Sequence, residues 1–167
     1  MKIVVVGTRG IPDIQGGVET HCEELYPRLA AMGHDVTVVR RSCYVTPQNK
    51  IKEYKGVHLK DIYAPRRKSI EAIVHTFLAI IYARWVGADV LHIHAIGPAL
   101  LTPLARLLGL RVVMTHHGPD YDRQKWNKTA KSVLRWGERM GTNYANEVIV
   151  ISTVIDNILR EKYDRTD

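Results

Sequence analysis

Three stretches of this sequence carry side chains or backbone able to do chemistry. The run from Gly7 to Gly17 (GTRGIPDIQGG) ends in adjacent glycines, Gly16 and Gly17, directly before a helical pattern. Adjacent glycines at a helix start let a phosphate approach backbone N–H groups, and the helix dipole favours the negative charge. The plainer alternative is a turn that needs only glycine dihedrals. The spacing is not Gly-x-Gly-x-x-Gly, and no Gly-Lys-Ser/Thr follows, so neither a dinucleotide fingerprint nor a P-loop is present.

The second stretch is His92-x-His94 in the segment DVLHIH. Alternate residues of a strand share a face, so both rings can point the same way. With His116 and His117 after the next strand, four imidazoles could gather at one edge. Zinc sites usually add a thiolate or carboxylate and an ordered second shell, and only Asp120 is at hand. Packed or hydrogen-bonded histidines are therefore expected, with no metal. The third stretch, Thr115 to Trp126 (THHGPDYDRQKW), mixes imidazoles, carboxylates, cations and aromatics. Such a loop can hydrogen-bond a polyhydroxylated ligand and stack on its ring. The alternative is a solvated loop anchored to the core by its tryptophan.

Elements of alternating type must position these stretches. Lys2 to Val6 (KIVVV) reads as a strand buried on both faces. Val18, Cys22, Leu25, Leu29 and Met32 then recur at helical spacing, and Gly33 is the stop signal. Further strands are expected at 35–39, 57–62, 89–93, 111–115 and 147–151, and 42–56 reads as loop. Helices are expected from about Ser69 to Val86, from Pro98 to Leu108, and from about Lys128 to Ala145. The second of these should bury Leu100, Leu101, Leu104, Leu107 and Leu108. The third should pack through Val133, Trp136, Met140 and Tyr144. Ser152 is a plausible N-cap for a last helix before the charged tail Tyr163 to Asp167. The pattern predicts one α/β domain over 1–167, a doubly wound, mainly parallel Rossmann-like sheet with helices on both faces.

Composition narrows the partners. At 167 residues the chain suits one domain, and its net charge of +7 favours anionic partners. The second strand ends in Arg40-Arg41 instead of the acidic residue that holds the ribose of NAD, which leaves only NADP open. Aromatics are dispersed and no nucleic-acid-binding motif is visible. Cys22 and Cys43 form no Cys-x-x-Cys pair. Met1-Lys2 leads straight into a strand without a signal-peptide layout, so a reduced, cytoplasmic setting is expected. Glu71, His75 and Arg84 interrupt the apolar run from Ile70 to Val86, which reads as a buried amphipathic helix, not a membrane span. Arg66-Arg67-Lys68 just before it mark a solvated helix entrance or a peripheral membrane contact.

Taken together, VGTRGIP from Val6 with Gly16-Gly-Val-Glu19, His92-Ile-His94, Thr115-His-His-Gly118 with Lys125-Trp126, and Val148 to Ser152 resemble glycosyltransferase family 4. The likeness is to its bacterial rhamnosyltransferase-like branch, involved in surface polysaccharides. The resemblance implies the N-terminal, acceptor-side half of a GT-B fold. It further implies retaining transfer from a nucleotide-sugar co-substrate to a glycan or lipid-linked acceptor, without a catalytic metal or other cofactor. By motif position Gly16 and Gly17, with Arg9, would face the donor diphosphate. His117 would lie near the transferred sugar, with His116 as its stand-in. Glu19, Asp120 and Arg123 would orient the acceptor or the loop. The family's C-terminal donor-binding domain has no counterpart in this chain, which alone is expected to be inactive. Two other readings stay open: a stand-alone module binding a nucleotide or anionic sugar, and a dinucleotide-dependent oxidoreductase or epimerase domain.

Overall fold

The computed structural model describes residues 1–68 and 70–165. Strands β1 (Lys2–Val6), β2 (Asp35–Arg41), β3 (Glu53–Tyr54), β4 (Val57–Ile62), β5 (Val90–His94), β6 (Val112–His116) and β7 (Glu147–Val150) form one sheet. Their order is β3-β4-β2-β1-β5-β6-β7, and every neighbouring pair is parallel except β3 with β4. The order runs outward from β1 through β2 on one side and through β5 on the other. The switch point therefore lies between the ends of β1 and β5.

Helices cover both faces. Strand alternation sends Ile3 and Val5 of β1 to one face, where they pack with Val36, Val38 and the α1 residues Cys22 and Tyr26. Helix α1 spans Gly17–Ala31. Val4 and Val6 go to the other face, with Leu91, Ile93 and Met114, under Ala79, Ile80 and Ala83 of α2 (Glu71–Trp85). Each such side chain, fully buried, is worth roughly 1.5–3 kcal/mol for the larger apolar types. Helices α3 (Thr102–Leu107), α4 (Lys128–Tyr144) and α5 (Thr153–Tyr163) complete the chain.

Several boundaries and faces differ from the sequence expectation. Strand β2 runs on through Arg40 and Arg41 because both guanidiniums find partners inside. Arg40 Nε donates to Asp61 Oδ1 at 2.6 Å, and its terminal nitrogens donate to the carbonyls of Asn49 and Ile51 at 2.8 and 3.2 Å. Arg41 donates to Glu71 Oε1 at 2.8 Å and to the Gly7 carbonyl at 3.3 Å. The supposed loop 42–56 holds a 3₁₀ turn at Ser42–Tyr44 and the short β3. Pro98–Leu101 is also a 3₁₀ turn, and α3 is correspondingly short.

Met32 and Leu107 are exposed, not buried. In α4 the apolar spacing points to the wrong side: Trp136 and Tyr144 are exposed, while Gly137, Glu138, Gly141 and Thr142 are buried. A Cβ on Gly137 would stand 1.9 Å from the Ile96 carbonyl oxygen, and one on Gly141 2.7 Å from the Ala99 Cβ. This helix packs backbone against backbone. Helix α2 is only half covered, since Phe77, Ile81 and Trp85, four residues apart, face outward. Ser69, its expected start, and Thr166 and Asp167 of the tail lie outside the described residues. No helix among the described residues is long and apolar enough to cross a membrane.

Candidate active site at the switch point

The loop after β1 is braced from within. Glu19, in the first turn of α1, is buried. Its Oε1 accepts from the Arg9 N–H at 2.9 Å and from the Thr8 hydroxyl at 3.4 Å. Gly16 sits at φ +153°, and a Cβ there would stand 2.0 Å from Glu19 Oε2, so both conformation and space require glycine. Gly17 is different. Its backbone is not left-handed, and nothing lies within 4 Å of where its Cβ would be. The opening turn of α1 has no side-chain cap, whereas Asn127 caps α4 and Ser152 caps α5. The open space over Gly17 thus adjoins free helix-start N–H groups, the arrangement that receives an anion. The Arg9 side chain stays near, over the Tyr44 ring at 5.4 Å and donating to the Gln15 carbonyl at 3.3 Å.

The imidazoles form the second half of the site. His92 and His94 stack with centroids 4.3 Å apart on the α1 face of β5. One strand over, β6 alternation puts Thr115 and His117 on that same face, and His116 on the other. His92 Nε2 lies 2.7 Å from Thr115 Oγ1, and His92 Nδ1 lies 2.7 Å from the Tyr26 hydroxyl. That hydroxyl is 2.5 Å from His94 Nε2, and His94 Nδ1 is 2.9 Å from His117 Nε2. His21, one turn along α1 from Gly17, stands edge-on to the His117 ring at 5.1 Å. The four gathered imidazoles are therefore His21, His92, His94 and His117, with His116 excluded by strand parity.

Burial drives the protonation of this group. His92 is pushed down to about 3 and His117 to about 4, each by desolvation first and by the neighbouring His21 second. His94 is held well below its ordinary value by burial and then by His92. All three rings are neutral near pH 7. Ring nitrogens of His21, His94 and His117 lie within 4.8 Å of one another, close enough to share a metal ion. His94 could ligate only by giving up a hydrogen bond, since both its nitrogens are engaged.

His116 serves the loop from below. It is 1% exposed, its Nδ1 accepts from the Gly118 N–H at 3.0 Å, and its Nε2 is 3.8 Å from Glu138 Oε2 of α4. Burial alone would raise the Glu138 carboxyl, but His116, Tyr121 and Lys162 outweigh it and hold it below the usual range. Tyr121, buried and 2.5 Å from Lys162 Nζ, anchors the 118–127 loop. Asp120 and Arg123 pair with each other at 3.2 Å on that loop. Glu19 is committed to the glycine loop. The sequence reading missed His21 and Tyr26, which look like ordinary helix residues. The signal available was a buried hydroxyl one helical turn after Cys22, facing a strand with two histidines.

The profile of a known family matches residues 15–167, described as Glycosyltransferase Family 4. The chain belongs to glycosyltransferase family 4. Among solved structures this family 4 domain is similar to sucrose-phosphate synthase from Thermosynechococcus elongatus, with a TM-score of 0.73 at 20% identity over 96% of the chain. A second structure of that name, described as twinned, gives 0.66 at 19% identity, covering 97% of this chain and 82% of that one. The chain spans 45% of the length of the first. At this identity the likeness is one of fold, and the fold is that of a GT-B N-terminal domain. No curated protein matches the chain. The arginines that left NADP open are consumed by Asp61, Glu71 and main-chain carbonyls, so the family 4 domain has no free cation pair at the end of β2.

Proposed function

We propose that this chain is the acceptor-side half of a retaining glycosyltransferase. The enzyme would move a sugar from a nucleotide-sugar to a glycan or lipid-linked acceptor in surface polysaccharide synthesis. The observation that carries the reading is the juxtaposition at the switch point. The uncapped start of α1, with open space over Gly17, adjoins a loop whose one cleft-facing imidazole, His117, stays neutral. Cleaving a glycosyl phosphate bond needs the leaving diphosphate's charge stabilised by fixed dipoles, which helix-start amides supply. Holding the two sugars side by side accounts for much of the rest. Retention at the anomeric carbon and the polysaccharide role rest on the resemblance to the rhamnosyltransferase-like branch, as does the donor-binding C-terminal partner domain.

A lipid-linked acceptor accords with the outer face of α2. Phe77, Ile81 and Trp85 project from it, Trp85 being 82% exposed, with Arg84 beside them and Arg66, Arg67 and Lys68 exposed just before the helix. An apolar stripe flanked by cations suits an anionic bilayer surface, and this supports the reading of an enzyme working at the inner face of the cytoplasmic membrane.

The test uses the protein carrying both halves, supplied with nucleotide-sugars, with product configuration read by NMR. His117→Ala should lower turnover at least about tenfold, the scale of one lost transition-state contact. Unchanged turnover removes His117 from the site, and a product of inverted configuration rejects retention. Trp85→Ala should reduce sedimentation with vesicles containing anionic lipid, and undiminished binding rejects the α2 surface.

A further inference from the structure

His117 is the last member of a continuous hydrogen-bonded chain that begins at Thr115 and passes through His92, Tyr26 and His94. The inner members are shut away from water: Tyr26, His94 and Thr115 are fully buried and His92 nearly so. A neutral imidazole has one N–H and one lone-pair nitrogen, and a phenol has a single proton to give. His92 and His94 are each bonded at both nitrogens, so each donates once and accepts once. The Tyr26 oxygen could accept from both rings only by leaving its own buried proton without an acceptor, so it too donates once. Two arrangements meet this condition, and fixing the direction of any one bond selects between them.

In the first, the Thr115 hydroxyl donates to His92 Nε2, His92 Nδ1–H to the Tyr26 oxygen, Tyr26 O–H to His94 Nε2, and His94 Nδ1–H to His117 Nε2. His117 then carries its proton on Nδ1 and presents an N–H donor away from the chain. In the second, every bond reverses and the proton of His117 is spent on His94, leaving Nδ1 as a bare acceptor. Thr115 decides between them. Among the described residues its hydroxyl has only His92 as a partner. In the second arrangement that hydroxyl would only accept, and its own proton would be buried without an acceptor. A buried donor left unmade biases such an equilibrium by roughly tenfold or more.

We infer that Thr115, His92, Tyr26 and His94 are positioning residues that set the tautomer of His117, so that it meets a ligand as a neutral N–H donor and not as a base. The consequence for chemistry rests on the glycosyl-transfer reading: the Nδ1–H would donate to a sugar or phosphate oxygen without transferring its proton. The tautomer assignment itself does not depend on that reading.

Long-range proton–nitrogen NMR on this chain, with its imidazoles labelled, tests it directly. In the unmodified protein at neutral pH, His92, His94 and His117 should all be Nδ1–H tautomers. His75 donates from Nε2 to the Arg40 carbonyl, and His116 accepts at Nδ1, so these two should carry Nε2–H and serve as internal controls. Thr115→Ser keeps the hydroxyl and should keep the pattern. Thr115→Val and Tyr26→Phe should each turn the single His117 tautomer into a mixture. An Nε2–H proton on His92, His94 or His117 in the unmodified protein overturns the inference, even if no variant folds. So does one unchanged His117 tautomer across all four proteins. If the tautomers are as expected but His117→Ala leaves turnover intact, the functional reading falls and the chain of bonds stands.

Discussion

Gly16 and Gly17 are neighbours of the same type, yet alanine at each should act in opposite directions. Gly16→Ala places a Cβ 2.0 Å from Glu19 Oε2 at a left-handed φ of +153°. The carboxylate can yield only by releasing the Arg9 N–H that it accepts at 2.9 Å. Backbone strain of roughly 1–3 kcal/mol and a weakened buried hydrogen bond of similar size give a loss of about 2–4 kcal/mol. At about 2–4 °C per kcal/mol for a domain of this size, the melting temperature should drop on the order of 10 °C. Gly17→Ala meets no atom within 4 Å and no dihedral conflict. It restricts the unfolded chain and should stabilise by roughly 0.4–1 kcal/mol. Its methyl, however, enters the space an anion would use to reach the α1 amides. Loss of one charge-assisted hydrogen bond, about 1.5–3 kcal/mol, should weaken a nucleoside diphosphate by roughly ten- to a hundredfold. Differential scanning calorimetry on this chain reads the first quantity, and titration calorimetry on the protein with its donor-side half reads the second. A Gly17→Ala protein that is more stable and binds with unchanged affinity would refute the claim that this space belongs to a ligand.

Three further outcomes follow from the packing. Gly137→Ala, mid-helix, would ordinarily gain about 1 kcal/mol, but a Cβ 1.9 Å from the Ile96 carbonyl should reverse the sign to a net loss of roughly 1–3 kcal/mol in urea unfolding. Arg40→Met strips the Asn49 and Ile51 carbonyls of their buried donor and should cost roughly 3 kcal/mol, with proteolysis of the 45–52 segment as a second readout. Acid should destabilise the fold before carboxylates titrate. His75 and His117 at about 4 and His92 at about 3 lie below the unfolded value of 6.5, so the unfolded chain binds more protons in between. Their stability is whole above pH 6.5 and is lost as pH falls toward those values, at most about 1.4 kcal/mol per pH unit per buried ring and less for the half-exposed His117. A urea midpoint that stays flat as the pH falls from 6.5 to about 4 would contradict it.

The sheet was legible because its signal is local. KIVVV and the helix after Gly17 read directly as strand and helix, and alternation put His92 and His94 on one face. Three things escaped for physical reasons. Arg40 and Arg41 resemble a loop until the carboxylates that neutralise them, distant in sequence, are brought near by folding. The α4 face was misjudged because apolar spacing cannot register a seam where glycines admit the backbone of another segment. The candidate site was legible only in part: Gly16 and Gly17 open α1, and His117 joins the imidazoles of β5. His116 is on the opposite face, and Tyr26 becomes chemical only through partners on β5.

Arg41 joins two places that the sequence keeps apart. It bonds Glu71, the first residue of α2, and also the carbonyl of Gly7, at the start of the glycine loop. The cationic entrance to α2 and the glycine loop therefore share one rim of the molecule. On the proposed function, an enzyme seated on a bilayer by that helix would hold this rim at the headgroup level. A lipid-tethered acceptor would then arrive by lateral diffusion within the leaflet, a search in two dimensions, and its tail would never have to leave the hydrocarbon.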